Sequence, residues 1–147
     1  MVQAGRAGRE HLVLPAGLPV AVSDSALVGY YPSASADQVR GVRAAVDQLL
    51  GLGHRTVHHV AGPEDSQSAL IRSASWAARL REAGLTAPEP VQGDWTAASG
   101  YAAGERLAAD PEVTAVFCAN DEVAIGLIRA MHEHGRRVPQ DLSLIHI

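Results

Sequence analysis

From Thr56 onward, short apolar runs alternate with longer stretches whose apolar positions recur at helical spacing. Thr56–Ala61 (TVHHVA), Val91-Gln92, Thr114–Ala119 (TAVFCA) and Leu142–Ile147 read as strands. Between them, helices are expected over about Ala69–Ala83, Ala97–Ala109 and Asp121–His134. Gly84 and Gly135 stop the first and third, and Thr96 caps the second. The order βαβαβαβ constrains the fold strongly. It calls for an α/β, Rossmann-like parallel sheet with right-handed crossovers and helices on both faces. Thr114–Ala119 is continuously apolar, as a strand buried on both faces should be. In such sheets ligands bind beyond the carboxyl ends of the strands. That rule selects Gly62–Ser68, Gly93–Thr96 and Asn120-Asp121.

Upstream, Leu18–Val22 (LPVAV) is a short strand candidate, and Leu27–Ser33 reads as strand then loop. From Asp37 the period becomes helical, with Val39, Val42, Val46, Leu49 and Leu50 on one stripe. Ser35 or Asp37 can cap this helix, and Gly51 and Gly53 end it.

Several function classes are disfavoured. The apolar runs are too short to span a bilayer, so no membrane partner is expected. The N-terminus has Arg6 and Arg9 but no long apolar stretch of the kind a secretory signal needs. The single cysteine, Cys118, excludes an internal disulfide framework and fits a reducing, cytoplasmic setting. All 12 basic residues are arginine, the net charge is −4, and only Arg136-Arg137 are adjacent. Such scatter gives no stripe for a phosphate backbone. His58 and His59 are neighbours in a strand and point to opposite faces, while His132 and His134 are two apart on a helix. Neither spacing suits a metal, and no cofactor is expected. Nucleophile-elbow and phosphate-loop motifs are missing from the sequence, so an enzyme is disfavoured.

Three places carry ligand chemistry. Asn120-Asp121 follows the apolar strand directly and offers amide donors, an amide acceptor and a carboxylate. The same pair also reads as a plain turn residue followed by a helix N-cap at Asp121. Arg72 is expected in about the first turn of its helix, where the dipole disfavours a cation. It is either a bidentate ligand for carboxylate or vicinal hydroxyls, or a solvated arginine. Trp95, in Gly93-Asp94-Trp95, is either a stacking surface for a sugar or base or a packing residue. Trp76 reads as core.

Taken together, these residues resemble a known family. Gly53-His54-Arg55 is followed by Val60-Ala61-Gly62-Pro63, Ser68, Arg72 and Trp76. Gly93-Asp94-Trp95 with Ser99-Gly100-Tyr101 comes next, then Thr114-Ala115-Val116-Phe117 and Asn120-Asp121 with Ala124 and Gly126. Gly135 and Val138-Pro139-Gln140-Asp141-Leu142-Ser143 close the set. In this order the motifs, over roughly residues 35 to 145, resemble the effector-binding core of LacI/GalR-type transcriptional regulators. The resemblance implies a periplasmic-binding-protein-like type I fold whose two lobes close on a small effector, a sugar or a nucleobase-type metabolite. It implies that residues 1–53 end the first lobe and residues 54–147 form the second. It places Arg72, Trp95, Asn120, Asp121 and Asp37 at or near the effector. It implies a homodimer that reaches operator DNA only through a headpiece outside this chain. The family continues past the V-S pattern with G-[FY]-D-[DN], whereas here His146-Ile147 follows Leu144-Ile145. That departure suggests a truncated chain with foreign terminal residues and an incomplete site. The second reading is a sugar-binding protein of an ABC transporter, which would need an export signal. A small α/β enzyme is the third.

Overall fold

The computed structural model describes residues 17–23 and 30–147. Part of the segment expected at Leu27–Ser33 therefore lies outside the described residues. Ten elements follow in chain order: β1 (Val22–Ser23), β2 (Ser33–Ala34), α1 (Gln38–Gly51), β3 (His58–Ala61) and α2 (Gln67–Glu82), then β4 (Val91–Gln92), α3 (Ala97–Ala108), β5 (Ala115–Cys118), α4 (Asp121–Glu133) and β6 (Ser143–His146). β1 and β2 form a small parallel pair. The other four strands form one sheet in the order β4-β3-β5-β6, every neighbour parallel. This is the expected α/β architecture.

Strand alternation sends side chains to two separate cores. From β5, Val116 and Cys118 face α3 and α4, where they join Val60, Leu107, Val123, Leu127 and Met131. Ala115 and Phe117 face the other way, onto Val57, Trp76 and Leu80. All four β5 residues are fully buried, as befits a central strand covered on both faces.

Four side chains cap the four helices by accepting from exposed first-turn N–H groups. They are Asp37 on Arg40 (3.0 Å), Ser66 on Ala69 (3.5 Å), Thr96 on Ser99 (3.2 Å) and Asn120 on Val123 (2.9 Å). Two expectations change here. The cap of α4 is Asn120, so Asp121 is the first helical residue and its carboxylate does no capping. α2 begins at Gln67, two residues before the expected start, because Ser66 supplies its cap. Arg72 therefore sits in the second turn, where the dipole argument against a cation has faded.

The division expected at residue 53 assigns α1 to a first lobe. In the structure, its buried face (Val42, Ala45, Val46, Leu49) shares a core with Val57, Trp76, Leu80, Ala115 and Phe117. Ion pairs join it to α2 from outside, Arg43 to Glu82 at 2.5 Å and Arg79 to Asp47 at 2.6 Å. Each guanidinium–carboxylate pair is exposed enough that water screens most of its attraction, so the apolar face does the joining. Among the described residues, no helix is long and apolar enough to cross a membrane.

Candidate functional site

The carboxyl ends of β3, β4, β5 and β6 lie side by side, and the turns that follow them carry the polar residues. Arg72 reaches this edge from α2. Its Nε donates to Gln38 Oε1 at 2.8 Å, and its Nη1 donates to the carbonyls of Ala119 and, at 3.2 Å, Ile147. Its guanidinium carbon also stands 5.6 Å from the centre of the Trp95 ring, a cation–π distance. One half-buried side chain thus joins the start of α1, the ends of β5 and β6, and an indole.

Trp95 follows β4 with a backbone φ of 74°, in the left-handed region that side-chain-bearing residues rarely occupy. Its six-membered ring lies over Gly62, just beyond β3. A Cβ at residue 62 would come within 2.6 Å of that ring, so only glycine leaves room for it. The Gln92 side-chain amide donates to the Gly62 carbonyl, tying the two turns together.

Asn120 uses both ends of its amide inside the protein. Oδ1 takes the cap bond from Val123, and Nδ2 donates to the Trp95 carbonyl at 3.0 Å. One amide hydrogen and one lone pair remain for anything else. Asp121 is exposed, with Oδ1 2.9 Å from His146 Nδ1. Asp37 is also exposed, and its carboxylate is spent on the N-terminus of α1. It enters the neighbourhood through the next residue, Gln38, which holds Arg72.

The structure therefore brings all five sequence-selected residues to one edge of the sheet, with different standing. Arg72, Trp95 and Asn120 form a connected cluster, Asp121 adjoins it with an exposed carboxylate that meets His146, and Asp37 stands one residue removed. Gln38 and Gln92 belong to the cluster and were not singled out from sequence as ligand residues, whereas Gly62, which the strand-end rule did select, enters as the bare backbone against the Trp95 ring. A surface hollow of about 300 Å³ lined by Ile128, His132 and Arg136 lies at the other end of α4, away from these residues.

Electrostatics favour recognition over bond-making. Cys118 is buried, and burial pushes its thiol up to about 12, so it carries no thiolate near neutrality. Hydrogen bonds from Thr96, and then Ser99, hold the Asp94 carboxyl below its usual range. Among the described residues, no group of three or more His, Cys, Asp or Glu side chains could hold a metal ion. What the edge offers is a fixed cation, an exposed carboxylate and an aromatic ring, a set suited to a small hydroxyl-bearing ring.

Comparison with known proteins agrees with this architecture. The family described as periplasmic binding protein-like domain matches residues 46–147. The lactose operon repressor of Klebsiella pneumoniae is 38% identical over 109 residues, covering 74% of this chain and 31% of the relative. The HTH-type transcriptional repressor PurR of Escherichia coli is 40% identical over 100 residues, covering 66% of this chain and 29% of the relative. The crystal structure of the lac repressor dimer bound to operator and the anti-inducer ONPF superposes with a TM-score of 0.78 at 32% identity. That match covers 89% of this chain and 46% of the solved one. The chain spans under a third of the length of either curated relative. With its parallel sheet and the family match over residues 46–147, the chain belongs to the periplasmic-binding-protein-like domain family, in the form carried by LacI-type transcriptional regulators.

Proposed function

We propose that this chain is the ligand-sensing part of a LacI-type transcriptional regulator. It binds a small hydroxyl-rich metabolite, a sugar in the first instance, at the strand edge described above. Arg72 donates to ligand oxygens, Asp121 accepts from ligand hydroxyls, Trp95 packs on the ligand ring, and Asn120 contributes its remaining amide hydrogen. Asp37 acts from the start of α1. The observation that carries this reading is the Arg72 guanidinium, joined at once to Gln38, to the ends of two strands and to the Trp95 ring. A ligand oxygen that replaced one of those carbonyls would be felt on both sides of the edge.

Closure of a first lobe over this edge would complete the site. We place the boundary before α1 and not at residue 53, because α1 shares its core with β3, α2 and β5. On the same reading the whole regulator is a cytoplasmic homodimer that reaches operator DNA through a headpiece, and the ligand favours one of two lobe arrangements by binding it more tightly. The dimer, the operator and the anti-inducer named for the lac repressor structure support this by kinship.

The test uses the full-length regulator in gel-shift assays on its operator, with a panel of monosaccharides, disaccharides and purines. Arg72→Ala and Asp121→Ala should each leave operator binding within about two-fold while reducing the ligand response more than about ten-fold, since a charge-assisted hydrogen bond is worth roughly 1.5–3 kcal/mol. A ligand response that survives both substitutions would sink the site assignment.

A further inference from the structure

Trp95 is the one non-glycine residue among the described residues with a left-handed backbone. A conformation of that kind costs about 1–3 kcal/mol and persists only where the surroundings over-determine it. Three contacts do so. The Asn120 amide holds the Trp95 carbonyl at 3.0 Å. The bare face of Gly62 receives the six-membered ring. The Arg72 guanidinium stands over the same indole. The orientation of the Asn120 amide is set by its partners. Turned over, it would point its NH2 at the Val123 N–H and its oxygen at the Trp95 carbonyl.

We propose that Asn120 and Gly62 are positioning residues for Trp95, fixing the indole at the strand edge before any ligand arrives. Asn120 does so by a bond separable from its capping of α4. Gly62 does so by having no side chain, since any Cβ there overlaps the ring. The ligand-binding consequence rests on the function proposed above: a preset aromatic surface selects rings and spends little ordering free energy when one binds. The positioning itself needs no ligand, so its failure and the failure of the functional reading are distinguishable.

Asn120→Asp separates the two roles. A carboxylate still accepts from the Val123 N–H and caps a helix as well as asparagine does, but it has no N–H to give the Trp95 carbonyl. The experiment is acrylamide quenching of tryptophan emission in the 147-residue chain, with far-UV circular dichroism on the same samples. Trp76 is buried and bonded to the Val57 carbonyl, so Trp95 supplies the quenchable fraction, and Trp95→Phe should remove that fraction. In Asn120→Asp, and in Gly62→Ala, the quenching constant of that fraction should rise about two-fold or more as the indole leaves its fixed site. Helix content should be unchanged in Asn120→Asp and should fall in Asn120→Ala. If Gly62→Ala does not fold, Asn120→Asp decides alone. Quenching equal to that of the unsubstituted chain in Asn120→Asp overturns the proposal. So does a loss of helix in Asn120→Asp equal to that in Asn120→Ala, since the two roles would then be one.

Discussion

The two faces of the sheet are packed by opposite means. On one face, α3 and α4 approach through glycine. A Cβ at Gly126 would lie 1.9 Å from the Ala97 carbonyl oxygen, and one at Gly100 would lie 2.1 Å from that of Val123. On the other face, α1 and α2 are held off by rings. His59 stacks on Phe117 at 4.8 Å and leans on Trp76 at 5.1 Å. The glycine face leaves no space for an added Cβ at Gly100 or Gly126, and the aromatic face is filled by the rings of His59, Phe117 and Trp76. Each serves the strand edge differently. The close seam holds α4, with Asn120 and Asp121 at its start, against α3. The aromatic face sets the height of α2 above the sheet, and so the reach of Arg72.

The strongest way to break the aromatic face is Trp76→Ala. It empties a fully buried ring site and leaves the Val57 carbonyl without its indole N–H at 2.9 Å. We expect a loss of about 4 kcal/mol in urea unfolding of the chain. A loss under about 1 kcal/mol would mean that the surrounding helices collapse into the space, and the contrast between the faces would fail.

The converse substitution on the other face is Gly126→Ala. Ordinarily alanine in a helix stabilises by up to about 1 kcal/mol relative to glycine. Here the added methyl meets backbone and not a flexible side chain, so α3 and α4 must separate. A net loss of about 3 kcal/mol is expected, at the upper end of overpacking costs. A neutral or stabilising result would show that the seam can widen freely.

These contrasts also divide what the residues disclosed in advance from what they did not. The periods near Val42–Leu49 and through Thr114–Ala119 are local patterns, and local patterns declare helix and strand. Val91-Gln92 and Thr96 were legible for the same reason, as a strand and the cap that follows it. Trp95, Asn120 and Asp121 stood out because strand-end geometry names positions without knowing contacts, whereas Arg72 stood out as a cation expected near a helix N-terminus, a premise that the earlier start of α2 removes. Contacts between distant segments left no such mark. Nothing around Gly126 reveals that Ala97 lies against it, and nothing around Gly62 reveals the ring above it. The cap of α4 is Asn120 and not Asp121 because it is the Asn120 side chain that accepts from the Val123 N–H. That the apolar stripe of α1 meets Val57, Trp76, Leu80 and Phe117 is likewise something periodicity does not specify.

His59 sharpens the comparison through pH, with the smallest effect of the three. It is buried on the aromatic face, its Nδ1 2.9 Å from the Phe117 carbonyl and its Nε2 3.0 Å from Ser73 Oγ. The carbonyl can only accept, so Nδ1 carries the hydrogen and Nε2 accepts a hydrogen bond from the Ser73 hydroxyl, a neutral tautomer satisfied at both ends. Burial is the main cause that lowers its pKa to about 4, and the nearby charge of Arg72 adds to it. The unfolded chain therefore takes up a proton at this residue near pH 6.5, while the folded chain does not until about pH 4. Stability from this group is complete above the unfolded value and drains away as pH falls through that window. Between pH 7 and pH 5 the loss should be about 2 kcal/mol, read as a falling urea midpoint. His59→Gln should flatten that slope by the same amount, whatever its own stability at pH 7. An equal slope in both proteins would show that His59 takes up its proton in place, and the aromatic face would then be less dry than its stacking implies.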